Sequence, residues 1–366
     1  MHFTTQREVL LKPISFVAGI VERRQTLPIL ANVLIGLDAN KLTLTGTDLE
    51  VEVVTGTEVN GKKNGKITVP ARKLLDICKT LPNDTKIDFS LNKEKVIIKA
   101  GRSRFSLTTL PSNDFPNLET ENWDQELTLK QQALKTLLEK TQFCMAQQDV
   151  RYYLNGLLLE IKDKILRAVA TDGHRMATSK ISLEQKITEE RQVIVPRKGV
   201  LEISRLLENN KNEVKLQLNP NHLRITTSDF VFTTKLIDGR FPDYNKVIPA
   251  DQDKKVQIDR DTLKEALIRV AILSNEKYRG VRFNFDKGSM KVTAHNPEQE
   301  EAQEELSIQY SGDSIEIGFN VNYVSDAVSA LSTGNVEIGL SDANSSCTLR
   351  TPKDETTQYI VMPMRL

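Results

Sequence analysis

The chain repeats itself three times, and the length of the period limits what it can fold into. FTTQREVLLKPI from Phe3, LTLKQQALKTLL from Leu127 and VQIDRDTLKEAL from Val256 share one pattern. Each starts on an apolar residue, has Leu seven positions on (Leu10, Leu134, Leu263) and another aliphatic four beyond (Ile14, Leu138, Leu267). Apolar residues at three- and four-residue spacing mark the buried stripe of an amphipathic helix, so all three segments are read as helices. A second set, TGTDLEVEV, VATDGHRMA and TAHNPEQEE, aligns Thr47, Thr171 and His295 at a step of 124, each followed by Asp or Asn. These are polar turns leaving alternating strands. A third set, from Val69, Val195 and Phe319, reads as three-turn helices, two of them introduced by Val-Pro. Proline at a helix entrance costs no hydrogen bond. Phe115-Pro116 and Phe241-Pro242 make a fourth match. A period this long means tandem domains, because solenoid units run about 20 to 50 residues. Each unit has two helices and many half-buried alternating strands, which predicts an α+β domain with helices on one face of antiparallel sheet. The Pro-, Asn- and Asp-rich linkers place the domains at 1–122, 123–250 and 251–366.

With 366 residues, 39% hydrophobic and 27% charged, the chain has material for several ordinary cores. No stretch approaches the roughly 20 apolar residues of a membrane span, and the N-terminus lacks a signal-peptide pattern, so a cytoplasmic protein is expected. Cys78, Cys144 and Cys347 are odd in number and far apart, so a disulfide framework or zinc site is not expected, and no cofactor or metal is expected. They are read as small core residues. The net charge of +1 means that any basic surface is offset by an acidic one. Basic side chains recur on the helical segments: Arg7 and Lys12; Arg72, Lys73 and Lys79; Lys130, Lys135 and Lys140; Arg197, Lys198 and Arg205; Arg260, Lys264 and Arg269. HNPEQEEAQEEL packs Glu298, Glu300, Glu301, Glu304 and Glu305 into eight positions, a run that repels itself unless something basic faces it. KAGRSRFSL offers Lys99, Arg102 and Arg104 on a strand-like segment of the first repeat. The two segments lie in the outer repeats, so they could meet between subunits in a heterologous contact.

AVATDGHRMAT gathers Thr171, Asp172, His174 and Arg175 about Gly173 in a chain with four histidines. A hydrolase or transferase using Asp172, His174 and Arg175 is the alternative reading. The same turn in the other repeats is Thr-Asp-Leu and His-Asn-Pro, which share no catalytic set, so the turn is structural in origin. No nucleophile elbow surrounds Ser179, and no second histidine sits at a metal-ligand spacing.

Along its whole length the sequence resembles the bacterial sliding clamp family, the β subunit of DNA polymerase III. The resemblance rests on LPILANVLI, LTGTDLE, TVPARKLLDICK, GRSRFSLTTLP, QDVRYYLNG, ATDGHRMA, VPRKGV, DGRFPDY, ILSNEKYRGVR, NPEQEEA and VMPMRL. It implies a non-catalytic processivity factor of three-domain protomers, closed head to tail as a homodimer into a six-domain ring. It implies helices lining a hole that would hold duplex DNA through phosphate contacts, which carry no direct sequence information. It implies DNA contacts at Arg24, Arg72, Gln148, Tyr152, Tyr153, Arg197 and Lys198, with Arg23 an alternative to Arg24. It implies Phe105 and Leu107 against Ile272 and Leu273 as the apolar part of the dimer interface. It also implies a peptide groove between the second and third domains, at Leu154, Thr171, Gly173, His174, Arg175, Met176, Pro242, Val247, Asn320, Tyr323, Ser346, Ile360, Met362, Pro363, Met364, Arg365 and Leu366. There the replicative polymerase, the clamp loader, translesion polymerases and repair proteins would dock short linear motifs. Aliphatic and Met side chains make an adaptable floor for such an extended peptide. The sequence departs from the family at Lys246, where Arg is usual, at Asn344, where an aliphatic is, and at Met176, where Leu is.

Overall fold

The computed structural model describes residues 1–21, 27–118, 122–185, 189–249, 252–332 and 334–365. Among the described residues the α-helices are α1 (Arg7–Ala18), α2 (Ala71–Thr80), α3 (Gln131–Glu139), α4 (Arg197–Leu206), α5 (Arg260–Ala271) and α6 (Val321–Ala330), two per repeat. The buried stripe of α1 is Leu10, Pro13, Ile14, Val17 and Ala18, and that of α5 is Leu263, Ala266, Leu267 and Val270, the spacing that puts one helix face into a core. None of the described helices is long and apolar enough to cross a membrane.

The three segments that open each repeat are strand first and helix second. His2–Gln6, Gln125–Lys130 and Lys254–Asp259 are strands, and the helix begins at Arg7, Gln131 and Arg260. Phe3, Leu127 and Val256 lie in the core as strand residues, all at 0% exposure. Strand and helix bury the same core, so the apolar spacing runs through the junction and hides the change of period.

The chain divides into two compact units, Met1–Gln132 with Leu201–Leu236, and Ala133–Val200 with Ile237–Leu366. The division runs through the second repeat because the sheets run across repeat boundaries. In unit 1, four strands of the first repeat (Gly65–Pro70, Asn32–Asp38, Lys41–Thr47, Val51–Glu58) continue into four of the second (Phe230–Lys235, His222–Thr226, Glu213–Leu218, Gln125–Lys130). In unit 2, Arg191–Pro196, Gly156–Lys162, Ile165–Thr171 and Arg175–Ser182 continue into Thr357–Val361, Cys347–Arg350, Asn335–Leu340 and Lys254–Asp259. Both joins are antiparallel with equivalent partners, Phe230 with Thr55 and Thr357 with Ser179. The remaining two sheets stand alone and end in edge strands, Ser103–Thr108 in unit 1 and Glu301–Ser307 in unit 2. Cys78, Cys144 and Cys347 are buried.

Candidate functional site

The Thr-Asp turn is a self-contained hydrogen-bonded device, and the chain builds it twice. Thr171 Oγ1 donates to the Arg175 carbonyl at 2.7 Å and accepts from Gly173 N at 3.1 Å; Asp172 Oδ1 accepts from His174 N and Arg175 N at 2.9 and 3.0 Å. Thr47 and Asp48 make the same four bonds to Val51, Leu49, Glu50 and Val51. The residue between sits at φ +89° as Gly173 and +78° as Leu49. A β-carbon on Gly173 would come within 2.9 Å of the Arg151 guanidinium, so glycine lets that side chain lie against the turn, and it adopts the positive φ without the strain that Leu49 bears. Asp172 is thus spent on its own turn, and its other oxygen holds Arg175 Nε at 3.0 Å.

Arg175 ties this turn to its surroundings. Nη1 meets Asp326 of α6 at 2.6 Å, Nη2 donates to the Phe143 carbonyl at 2.9 Å, and the guanidinium lies 4.6 Å from the Tyr323 ring centroid. The exposed His174 ring stacks on Tyr323 at 6.4 Å and 16°. Asn320 caps α6 by accepting from Asn322 N and Tyr323 N, which fixes Tyr323 at the helix start. Beneath the turn lies an apolar cluster of Leu154, Leu158, Val169, Met176, Phe241 and Ile360, with Tyr153 and Val247 packed against it. Pro242 follows Phe241 on the surface. The C-terminal strand pairs Met176 with Ile360, and the chain then runs on with Met362 N on the His174 carbonyl (2.9 Å) and Met364 N on Gly318 (2.8 Å). Cys347 pairs with Val361, so the register carries Ser346 to the Met362 end. Pro363 and Met364 are half-buried and Arg365 is exposed; Leu366 lies outside the described residues. The described groove candidates therefore lie near one another in unit 2, several of them in or against a buried aliphatic and Met cluster, with His174, Arg175 and Tyr323 packed together beside it.

The DNA candidates of unit 2 also come together. Gln148, Tyr152 and Tyr153 lie on the loop before Gly156, and Arg197 and Lys198 open α4. Arg197 stitches the two, its N donating to the Asn155 carbonyl and Nη1 to that of Met145. Tyr152 is 57% exposed, whereas Tyr153 packs on the apolar cluster. The loop is braced by Arg151, which the sequence reading passed over. Its guanidinium holds Asp149 at 2.8 and 3.0 Å, keeping that carboxyl down at about 2, and Nη2 also donates to the Asp172 carbonyl. Nothing in the repeat pattern could reveal this brace or Phe143 and Asp326 around Arg175. In unit 1, Arg72 is exposed near the start of α2 and donates to the Val21 carbonyl. Arg24 and Arg23 lie outside the described residues.

Several of the helical cations have structural duties. Arg7 donates through Nε and Nη2 to the Cys78 and Lys79 carbonyls at the end of α2, and Arg260 does the same for Val328 and Ser329 at the end of α6. Arg205 holds Glu202 and the Phe16 carbonyl, and Arg269 holds Glu304 with two bonds. Lys73 and Lys79 on α2 remain exposed beside Arg72.

The charged interface candidates flank the two edge strands. Lys99, Arg102 and Arg104 are exposed about Ser103–Thr108, with Phe105 half-buried and Leu107 buried. Glu298, Glu300 and Glu301 are exposed at Glu301–Ser307, while Glu304 is already paired with Arg269. Ile272, just past α5, is 74% exposed, and Leu273 is half-buried.

Sequence models of the DNA polymerase III beta subunit match three consecutive stretches: the N-terminal domain at residues 1–119, the central domain at 128–243 and the C-terminal domain at 245–365. The chain belongs to the DNA polymerase III beta subunit family. Beta sliding clamps of Pseudomonas putida and Escherichia coli K12 are 54% and 49% identical to it, over the full length of both chains. The crystal structure of the DNA polymerase III subunit beta from Pseudomonas aeruginosa superposes with a TM-score of 0.97 at 52% identity, covering all of both chains. The Caulobacter crescentus pol III beta gives 0.94 at 36%, also over all of both chains. The beta-subunit fold, three clamp domains of mixed helix and sheet, is the fold of this chain.

Proposed function

We propose that the chain is the processivity clamp of a replicative DNA polymerase, closed as a head-to-tail dimer of three-domain protomers divided at 1–122, 123–250 and 251–366. The six-domain ring surrounds duplex DNA without reading it, and carries out no chemistry of its own. It keeps a polymerase at high effective concentration near its primer end. Partners dock a short linear motif in the groove of Leu154, Met176 and Ile360 under His174 and Tyr323.

The observation that carries this reading is the pair of edge strands. Two of the three possible joins between repeats are made inside the chain, with equivalent registers. The third join needs the last strand of the first repeat and the equivalent strand of the third, which are Ser103–Thr108 and Glu301–Ser307. An unpaired edge is a template for another chain, and a heterologous contact closes when its rotation permits. One edge is flanked by cations and the other by carboxylates, which selects the pairing and its direction. Applying the internal register puts Ser106 opposite Glu301 and Phe105 opposite Ala302 across the subunit boundary. Rim ion pairs add only about 0.2 to 1 kcal/mol each, so the strand ladder with Phe105, Leu107, Ile272 and Leu273 carries most of the stability.

Loading onto circular and linear duplex tests the reading. The protein should stay on the circle, slide off the linear form, and sediment at about twice 41.3 kDa. A monomer lost equally from both would end it. His174→Ala should weaken a motif peptide while leaving retention on the circle intact.

A further inference from the structure

We propose that unit 1 carries a second docking site, a cleft for an acidic peptide segment bearing an aromatic residue. Two equivalent places in the repeat differ in what covers them. In unit 2 the outer face of Gly156–Lys162 and Ile165–Thr171 is filled by the chain itself. Tyr244, 4% exposed, lies over it and donates its hydroxyl to Glu160 Oε2 at 2.7 Å. Arg167 Nη1 donates to the same carboxylate at 3.0 Å and to the Tyr244 hydroxyl at 2.6 Å, and Gln192 Nε2 donates to Glu160 Oε1 at 2.6 Å.

Unit 1 has the same strands in the same register without this knot. Glu160 pairs with Arg167 and with Gln192; the equivalent Gly36 pairs with Thr43 and with Lys66. Leu158 pairs with Val169, and Leu34 with Thr45. Phe115-Pro116 stands for Phe241-Pro242, but the chain then turns away, with Leu118 N donating to Glu52 beside Thr47. A carboxylate, a guanidinium and a phenol ring have been replaced by a hydrogen, a threonine and an open cleft of about 840 Å³ walled by Phe115 and Pro116.

What the cleft lacks defines its occupant. Among the described residues the ring of Tyr244 and the carboxylate of Glu160 have no counterpart, while Lys66 replaces Gln192 and a second cation, Lys41, lines the cleft. Neither lysine has an ion-pair partner among the described residues, and the lining carboxylate of Asp38 already accepts from Asn64. An aromatic side chain lying over Gly36 and a neighbouring Asp or Glu facing Lys41 and Lys66 would rebuild the knot in trans. The charge pairing makes the contact salt-sensitive. This site is independent of the ring and of the unit 2 groove.

The test is anisotropy of a fluorescein-labelled Asp-Tyr-Glu-Phe-Asp peptide on the full-length protein at low salt. Saturable binding is expected, weakened at least tenfold when the peptide's aromatics become Ala or its acids become Lys. Gly36→Trp should plug the cleft; a β-carbon there meets only the Lys66 chain, at 3.8 Å. The exposed pair Lys41→Glu with Lys66→Glu should abolish binding without touching the core. His174→Ala should leave it unchanged. Absence of saturation, binding indifferent to both cleft variants, or loss in His174→Ala would each overturn the proposal.

Discussion

A single arginine can decide how a loop is held, and two of them do so here. Arg151 grips Asp149 and reaches the turn at Asp172, so the loop bearing Gln148 and Tyr152 and the turn bearing His174 are fastened by one side chain. Its bond lowers the Asp149 carboxyl from an ordinary value near about 3.9 to about 2. A depressed carboxylate stabilises the fold fully above its unfolded value and loses that contribution as pH falls through the folded one, here between about 4 and about 2. Arg151→Ala should return the Asp149 titration, followed by carboxyl-carbon NMR, toward the ordinary value; an unchanged titration would mean the backbone N–H bond suffices. Arg175 is more deeply committed, its side chain 13% exposed between Asp172 and Asp326. Arg175→Ala should cost about 3 kcal/mol in denaturant unfolding, because it leaves a half-buried carboxylate unpaired. Arg175→Lys should recover little, since an ammonium cannot reproduce the planar fork. Burial pushes the Cys78 and Cys347 thiols up to about 12 and Cys144 higher still, so iodoacetamide at pH 8 should label the protein only after unfolding.

At the scale of elements, chemically similar side chains separate into two jobs. Arg7 and Arg260 open the first helix of their repeats and cap the second with their guanidinium groups, which suits the negative end of a helix. Gln131 takes that place in the second repeat and accepts from Glu208 N beyond α4. Charge and helix position alone group Arg7 with Lys73, and only the contacts distinguish them. Arg7→Ala should therefore lower stability by about 2 kcal/mol and leave the salt dependence of DNA retention unchanged. Lys73→Ala should do the reverse, leaving stability alone and reducing the salt slope by about one. The repeat was legible because each copy buries the same stripe; the strand-to-helix switch at Gln6, Lys130 and Asp259 was not, because both elements face one core.

On the scale of the whole molecule, the repeats are fused by sheet and not strung on linkers. Val51–Glu58 with Phe230–Lys235, and Arg175–Ser182 with Thr357–Val361, are continuous ladders, which is why the compact units cut across the repeats. The same ladder carried to the outer edges gives a register test of the dimer. Ser106→Cys with Glu301→Cys should form an intersubunit disulfide on mild oxidation, since directly opposed residues have β-carbons about 4.5–5.5 Å apart. Ser106→Cys with Gln303→Cys should cross-link poorly. Equal yields from the two pairs would reject the equivalence of the three joins.

The sequence by itself determined the number of repeats, the α+β class, the buried cysteines and the Thr-Asp turns, because periodicity and local hydrogen bonding are written in neighbouring residues. The tertiary structure decided which strands meet, that Tyr153 packs inward while Tyr152 does not, and that Arg175 spans Asp172, Asp326 and Phe143. It also decided that Gly36 and Thr43 leave open the place that Tyr244, Glu160 and Arg167 close in the next copy. These depend on residues far apart in the chain, whose proximity is set by burial of a shared core and by strand register. No local pattern encodes them.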